Sequence, residues 1–355
     1  MPAVNRAEAA TDRPQVRKSD DRNLLVLVAE IVDTKACQRL RNTYRGLAGL
    51  QDPAVMGGTL WIRECSIEND GTNITARLSG DGWEWVNKQQ EKAEAKFAVQ
   101  QYVKFHVAAT VRGTLDASYG PRSKIVTIWF APTGHPAVQF QPIGNVSVDE
   151  QGLWSSIVGT ASSVVSETPN QKATEQVQKQ GAQSFTSKLD KGLTITLNAC
   201  TGQSHTAFGQ VPEAQAEKQS AAKPSSTPVA LNEGGLAMFG PETGSKMNIV
   251  VDVTSGTVHV DAVCRAQADA IAQAFVRGTQ LPAVKTLASA DITGNGQLPV
   301  KGADCPVVVI ARPRTPRATF SWKRDPPASS TPLVECAKRS ARNRTTNTRS
   351  HATRR

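Results

Sequence analysis

Six cysteines and five histidines are the residues whose types could bind a metal ion or act as nucleophiles. No two cysteines form a C-x-x-C pair, which excludes zinc ribbons and thioredoxin-like redox motifs on spacing. No two histidines stand four residues apart on a helix, and H-E-x-x-H does not occur. The sequence therefore predicts no metal site and no cofactor, with the histidines on the surface or in loops.

The cysteine positions favour structural disulfides. Four cysteines lie near the ends of predicted strands, Cys65 and Cys200 in a first domain and Cys264 and Cys305 in a second. One pair inside each domain would give two disulfides and would indicate an oxidising compartment. Four buried free thiols are the alternative interpretation. Cys37 lies outside both domains, and Cys336 lies in the C-terminal tail.

The common catalytic motifs do not occur in the sequence. There is no G-x-S-x-G, no Walker A sequence and no G-x-G-x-x-G after a strand. In GDGWEWV (80–86), Asp81 and Glu84 could form an acid/base pair beside an aromatic platform. The alternative, which we favour, makes Trp83 and Trp85 core anchors on one face of a strand. The sequence thus predicts a protein that is not an enzyme.

The predicted elements are mainly long strands. In FAVQQYVKFHVAATVRGTL (97–115) the odd positions are mostly apolar and the even positions mostly polar, which predicts one long, half-buried antiparallel strand. Apolar residues then recur at helical spacing in 149–167, and Thr168-Pro169 starts a second helix that runs to Lys191. The predicted fold class is α+β, mainly antiparallel β with a long amphipathic helical hairpin, plus a second small domain of α+β or β-sandwich type.

Composition changes along the chain predict five segments. These are a disordered or signal-like segment at 1–54, the α+β domain at 55–212, a Pro- and Ser-rich linker at 213–228, a small β-rich domain with one helix at 229–312, and a basic disordered tail at 313–355.

The first domain is where we expect a ligand. The strand KIVTIWFA is apolar on both faces and is expected to face a helix with an apolar stripe. A pocket between them would be lined by Val103, Phe105, Trp129 and Trp154, and would bind a lipid or another apolar ligand. Solid packing of the same surfaces is the alternative, and it would leave a structural or assembly module without a ligand.

The positive charge belongs to the C-terminal tail. Residues 312–355 hold 12 of the 41 basic residues and two of the 31 acidic ones, so the rest of the chain is neutral. Lys338, Arg339, Arg342 and Arg344 could contact the phosphates of nucleic acid or of anionic lipids. A solvated extension is the alternative, because no Phe, Trp or Tyr and no motif accompanies the charge in 338–355, and nucleic acid is not the favoured partner.

A signal-like stretch occupies residues 23–46, NLLVLVAEIVDTKACQRLRNTYRG. Seven stretches, the first of which overlaps its end, are CQRLRNTYRGL (37–47), GDGWEWV (80–86), RGTLDASYGPRS (112–123), GLWSSIVG (152–159), LDKGLTITLNACTGQ (189–203), GGLAMFGP (234–241) and CPVVVIARP (305–313). Together these seven stretches resemble a family of uncharacterised predicted lipoproteins from myxobacteria-like Gram-negative bacteria. The resemblance implies export, lipid attachment at Cys37 and an outer-membrane anchor in the cell envelope, and it implies no activity.

The chain departs from that family's pattern at both ends. Lys35 stands where a small residue should precede Cys37, and the apolar run is only LLVLVA, so efficient export is not expected of the sequence as printed. A mis-assigned start and a shifted reading frame at the end would explain both departures. Long antiparallel strands with a long helix also resemble tubular lipid-binding domains of the bactericidal/permeability-increasing type. The predicted function is a non-enzymatic cell-envelope protein that binds a lipid, another apolar ligand or a partner protein.

Overall fold

The computed structural model describes residues 22–32, 36–49, 52, 54–70, 73–92, 95–144, 146, 149–151, 169–199, 204–216, 227–242 and 246–325. The helices include α1 (Arg22–Ile31), α2 (Cys37–Leu40), α3 (Pro169–Asp190) and α4 (Arg265–Arg277). The strands are β1 (Thr43–Ala48), β2 (Met56–Asp70), β3 (Asn73–Lys92), β4 (Ala95–Gly120), β5 (Ile125–Pro132), β6 (Ala137–Ile143), β7 (Asp149–Gln151), β8 (Leu193–Asn198), β9 (Ser204–Phe208), β10 (Val229–Asn232), β11 (Ala237–Glu242), β12 (Lys246–Ser255), β13 (Val258–Cys264), β14 (Ala288–Ile292), β15 (Asn295–Lys301), β16 (Val307–Pro313) and β17 (Arg317–Asp325). We call 22–216 the N-terminal half and 227–325 the C-terminal half.

Three long antiparallel strands form the N-terminal half. β2, β3 and β4 contain 15, 20 and 26 residues. β3 pairs with β4 along its whole length, and the other edge of β4 pairs in turn with β7, β6 and β5. β8 then pairs with β5, and β9 with β8. The alternating pattern of 97–115 therefore lies inside one strand, as the sequence predicts.

One face of β4 is buried and is covered by helices. Alternate residues from Val103 to Ala117 are buried. Phe105 and Val107 belong to an apolar cluster that includes side chains of α3. Leu115 and Ala117 belong to a second cluster that includes side chains of α1. Because residues two apart on a strand share a face, α3 and α1 cover neighbouring parts of the same sheet surface.

The predicted helical hairpin is wrong, and with it the fold class that was built on it. Residues 149–151, expected to start its first helix, form β7 and pair with 96–98 of β4. The chain here runs along the edge of β4, and its backbone groups form hydrogen bonds with that strand. These hydrogen bonds favour a strand even though the spacing of the side chains is helical. Residues 152–168 lie outside the described residues. The second predicted helix is present as α3, so the half is a large antiparallel sheet with single helices on its surface.

The C-terminal half contains two sets of four strands. β15, β12, β17 and β10 pair in that order, and β14, β13, β16 and β11 form the second set. Buried side chains from both sets form a common apolar core, which includes Leu231, Ile249, Val260, Val309 and Phe320. α4 packs on the outer side of the second set, where Ile271 contacts the cluster that contains Val308 and Ile310.

The two halves are joined by strand pairing and by a buried cluster that contains residues of both. β1 pairs with β2 and, at Tyr44, with Gly240 of β11, while Val229 of β10 pairs with Met56 of β2. Trp83 of β3 and Leu236 belong to the same buried cluster as α4. β1 therefore belongs to the sheet, although the sequence placed 1–54 outside the folded domains. Its buried Tyr44 and Leu47 explain this, because they complete apolar clusters of the sheet.

The folded part also extends into the predicted tail. β17 spans Arg317–Asp325 and pairs with β12 and β10, and its Ala318 and Phe320 are buried in the apolar core of the C-terminal half. Residues 317–325 therefore belong to the fold and not to the predicted tail at 313–355, and residues 326–355 lie outside the described residues. The alternation of Ala318, Phe320 and Trp322 is a strand signal that the surrounding basic charges concealed.

Candidate functional site

A narrow cleft separates α3 from the sheet. It is lined from the sheet side by Leu47, Glu84, Val86, Val103, Phe105 and Phe140, and from α3 by Val177, Gln180, Gly181, Ser184, Phe185 and Lys188. About 40 Å³ is open to the centre of a water-sized molecule. A space of that size holds a few water molecules at most. The cleft is therefore closed to an acyl chain while α3 stays in this position.

Three phenylalanines hold α3 on the sheet. Phe105 stacks on Phe140 with ring centroids 4.5 Å apart, and Phe185 of α3 lies 6.0 Å and 6.1 Å from these two rings. Gly181 lets the helix approach closely, because a Cβ atom there would lie 2.6 Å from the ring of Phe140. The contact therefore depends on one aromatic cluster and one glycine.

The C-terminal end of α3 is a tight connection to the sheet. Gly192 has a φ of +74° and donates its N–H to the carbonyl of Leu189 at 3.0 Å. Glycine takes this left-handed conformation without strain, which allows the helix to stop and β8 to begin at Leu193. The sequence predicts a helix that runs to Lys191, the residue before this glycine.

Glu84 and Lys188 are the charged side chains that line the cleft. Glu84 pairs with Val103 across β3 and β4, so its side chain lies on the apolar face that α3 covers. Lys188 is in the last turn of α3, where a positive charge is favourable beside the helix C-terminus. The cleft thus combines apolar walls with one acidic and one basic group.

The expected ligand-lining residues do not all meet. Val103 and Phe105 line the cleft. Trp129 lies on the opposite face of the sheet, because its neighbours Ile128 and Phe130 are the β5 residues that join the cluster under α1. Its indole Nε1–H donates to the carbonyl of Val211 at 2.7 Å. Trp154 lies outside the described residues.

Asp81 and Glu84 do not form an acid/base pair, because three residues on a strand place them on opposite faces. Asp81 accepts a hydrogen bond from Arg63 at 3.0 Å, and its other oxygen lies 2.8 Å from Nδ1 of His106. This carboxylate is nearly buried and its contacts are those of a cross-strand ion-pair group. Trp83 is a core anchor, as the favoured interpretation expects.

A polar cluster on β13, β14 and β16 has the residue types of a catalytic triad. Ser289 Oγ lies 3.3 Å from Nε2 of His259, whose Nδ1 lies 2.6 Å from Asp291. Arg314 also donates to Asp291, and these two hydrogen bonds hold the pKa of the Asp291 carboxyl below its ordinary value. Direct cross-strand pairing of His259 with Asp291 accounts for their proximity.

The same cluster lacks an activated hydroxyl. Ser289 donates its hydroxyl proton to Asp261 at 2.7 Å, and the same oxygen of Asp261 lies 3.2 Å from Nε2 of His259. Arg312 donates to the other oxygen of Asp261 at 3.1 Å. The serine proton is therefore donated to a carboxylate and not to Nε2 of His259, which would have to accept it to act as a general base. The geometry is that of an ion-pair ladder that ties three strands together.

The disulfides differ from the expected pairing in one case. Cys264 and Cys305 are bonded, as expected for the second domain. Cys65 is bonded to Cys37 rather than to Cys200, because α2 brings Cys37 against β2. Cys200 and Cys336 lie outside the described residues. A lipid attached to Cys37 would need the sulfur atom that this disulfide uses, so the structure opposes lipid attachment there.

The two disulfides indicate an oxidising compartment, either extracellular or periplasmic. Across the residues with assigned positions, no helix is long and apolar enough to cross a membrane. Within the same residues, no group of three or more histidine, cysteine or acidic side chains could hold a metal ion. Lys338, Arg339, Arg342 and Arg344 fall beyond residue 325, outside the described residues.

Several main contributors to the cleft were not predicted from the sequence. Leu47 falls in the segment 1–54 that the sequence places outside the folded domains, and no sequence motif includes Phe140. Val177 and Phe185 fall in the predicted second helix, but their spacing does not indicate which strands they contact. Local spacing carries no such signal, since contacts between distant segments depend on the sheet register.

No family model matches the chain, and no curated protein does. Among solved structures, it is similar to the SMP domain and two C2 domains of Extended-Synaptotagmin 2, at 11% identity, 89% coverage of this chain, 60% of that chain and a TM-score of 0.19. The chain thus spans 60% of the length of that structure. It is also similar to procruciferin, an 11S globulin from Brassica napus (12%, 82% and 86%, TM-score 0.15), and to the vicilin from Solanum melongena (10%, 87% and 90%, TM-score 0.14). Likenesses with TM-scores this low carry no argument about fold or function.

Proposed function

We propose that this protein is a non-enzymatic cell-envelope protein that binds a lipid or another apolar ligand between α3 and the sheet. The observation that carries the proposal is the cleft itself. Its walls include Val103, Phe105 and Phe140, and its polar groups are few. Binding sites for apolar ligands combine such walls with a small number of polar groups that orient the ligand.

Binding requires α3 to move away from the sheet. Sites for small molecules have volumes of roughly 300–1,000 Å³, far more than the present cleft offers. α3 is suited to such a movement, because its apolar contacts come from few side chains, chiefly Val177, Ala182 and Phe185. Elements with few buried apolar contacts open at a low free-energy cost. The turn at Gly192 would act as the hinge.

Binding of cis-parinaric acid, a fluorescent fatty acid, tests the proposal. We expect saturable binding with about one molecule per chain, and a lipid that co-purifies with the protein in native mass spectrometry. Ser184→Trp should fill the cleft and weaken binding at least tenfold. Gln183→Trp is the matched control, because Gln183 is the neighbouring residue on the exposed side of α3. Absence of both saturable binding and co-purified lipid would refute the proposal.

A structural or assembly module without a ligand is the second candidate. The observation that favours it is the small free volume of the cleft, which the aromatic cluster of Phe105, Phe140 and Phe185 nearly fills. On this interpretation Ser184→Trp would destabilise the fold, and neither the native protein nor the variant would bind the fatty acid.

A further inference from the structure

α1 is a cover that lies on a completed sheet. Its residue Val28 is 1% exposed and belongs to an apolar cluster with Ile74, Leu115 and Ile128. We call the sheet side of this cluster the patch; it consists of Ile67, Ile74, Leu115, Ala117, Val126, Ile128, Phe130 and Ile195. The strands of the patch, β2, β3, β4, β5 and β8, pair with one another through ladders that do not involve α1. Removing α1 would therefore uncover the patch and leave those ladders intact.

A disulfide ties the segment that follows this cover to the sheet, in addition to the main chain that runs through α2 to β1. Cys37 follows α1 in the chain, starts α2, and is bonded to Cys65 of β2 across a sequence separation of 28 residues. Arg41 also donates to the carbonyl of Cys65 at 3.0 Å. Cys65 is buried, whereas Cys37 is half-buried. A reductant can therefore approach the bond from the Cys37 side.

Without the bond, α1 is held by its apolar contacts with the patch and by the chain that runs through α2 to β1. It contains ten residues, and isolated helices shorter than ~12–15 residues are marginal in water. Its side chains are not all buried, since Val26 is 67% exposed. The disulfide keeps α1 close to the patch and so raises the effective concentration of the helix there. Docking of α1 should therefore depend on the redox state of Cys37 and Cys65.

We propose that α1 is a redox-controlled cover, which a dithiol reductant releases from the patch. Two electrons and two protons pass from the dithiol to Cys37 and Cys65, which become two thiols, and the dithiol becomes a disulfide. The helix then leaves, and an apolar surface of the sheet is exposed. This inference stands apart from ligand binding under α3, because α3 covers a different part of β4.

Hydrogen exchange of the full-length protein tests the proposal. In the Cys37→Ser/Cys65→Ser variant, we expect amides of α1 to exchange at least tenfold faster than in the oxidised protein, with the exchange of β3 and β4 unchanged. Binding of the dye 1-anilinonaphthalene-8-sulfonate should increase at the same time. Cys264→Ser/Cys305→Ser is the matched control, because it removes a disulfide of the C-terminal half and should leave α1 protected.

A second variant tests the cover without touching the bond. Val28→Asp places a charge on the side of α1 that contacts the patch and should expel α1 from the oxidised protein, with the same gain in dye binding. Unchanged protection of α1 in Cys37→Ser/Cys65→Ser would overturn the proposal. Loss of protection throughout β2–β5 in that variant would also overturn it, since the bond would then hold the sheet rather than a cover. Fatty-acid binding is a separate measurement, so the two proposals can fail independently.

Discussion

Replacing Trp83 with alanine should uncouple the two halves of the chain. Trp83 extends from β3 in the N-terminal half and is 0% exposed. Its ring contacts Phe275 of α4 with centroids 5.0 Å apart, and its Nε1–H donates to the carbonyl of Leu236. Both partners belong to the C-terminal half. The side chain therefore joins the two halves through packing and through a hydrogen bond.

The expected loss in the free energy of unfolding is large. Truncation of a buried tryptophan to alanine costs about 3–5 kcal/mol from lost burial and the cavity that remains. The carbonyl of Leu236 also loses its donor in a buried position, which costs a further 1–3 kcal/mol or so. The sum is comparable with the whole free energy of unfolding of many domains, roughly 5–15 kcal/mol. Trp83→Phe keeps most of the apolar contact and should lose only about 1–3 kcal/mol.

Urea unfolding followed by far-UV circular dichroism provides the measurement. We expect one cooperative transition for the native protein and two separate transitions for Trp83→Ala. Phe320→Ala is the control, because Phe320 is 1% exposed and its core cluster consists of residues of the C-terminal half, with Met56 of β2 packed against it. It should lower the free energy of unfolding by about 3–5 kcal/mol without separating the halves.

Two results would refute this reasoning. The first is a native protein that already unfolds in two independent steps, which would mean that the cluster around Trp83 does not couple the unfolding of the two halves. The second is a Trp83→Ala variant that unfolds in a single step with a loss below about 1 kcal/mol, far less than burial and the hydrogen bond require.

Three further predictions concern stability. Gly181→Ala should lower the urea midpoint by an amount equivalent to about 1–3 kcal/mol, because the new Cβ meets the ring of Phe140; a stabilisation, as expected for an exposed helical glycine, would contradict the close approach of α3. Burial raises the pKa of Tyr102 to about 12, above its value of about 10 in the unfolded chain. The neutral side chain therefore makes its full contribution to the free energy of unfolding below pH 10, and this contribution is lost as the pH rises toward 12. From pH 10 to pH 11 the native protein should therefore lose about 1 kcal/mol more than Tyr102→Phe, and equal losses in urea titrations would contradict this. Cys264→Ser/Cys305→Ser opens a loop with a sequence separation of 41 residues and should lower the free energy of unfolding by about 4 kcal/mol; an unchanged melting temperature would contradict the assigned disulfide.

Local patterns carried much of the strand prediction. The alternation from Phe97 to Leu115 specifies a strand with one buried face, because a period of two places every second side chain on the same side. α3 and its stop at Gly192 follow from the Pro start signal and the glycine at the end. Near Asp149 the same kind of reasoning failed, since an available edge of β4 outweighed the helical spacing of side chains.

The cleft and the disulfide pairing needed the tertiary structure. Leu47, Phe140 and Phe185 are far apart in the chain and meet only because α3 covers the part of the sheet to which β1 and β6 belong. Trp129 is apolar in an apolar strand, so its pattern does not distinguish the two faces of β5. Cys65 had several possible partners, and sequence does not fix connectivity.

The apolar stretch LLVLVA shows most clearly what the sequence determines and what only the tertiary structure decides. By itself the sequence determined that residues 24–29 would avoid water, and this suggested a membrane signal. The tertiary structure places the stretch in α1 on the sheet, with Cys37 bonded to Cys65. Hydrophobicity is non-directional and states only that a segment must be buried. The register of the strands and the position of Cys65 decide which surface buries the segment. The residues of the segment itself determine neither.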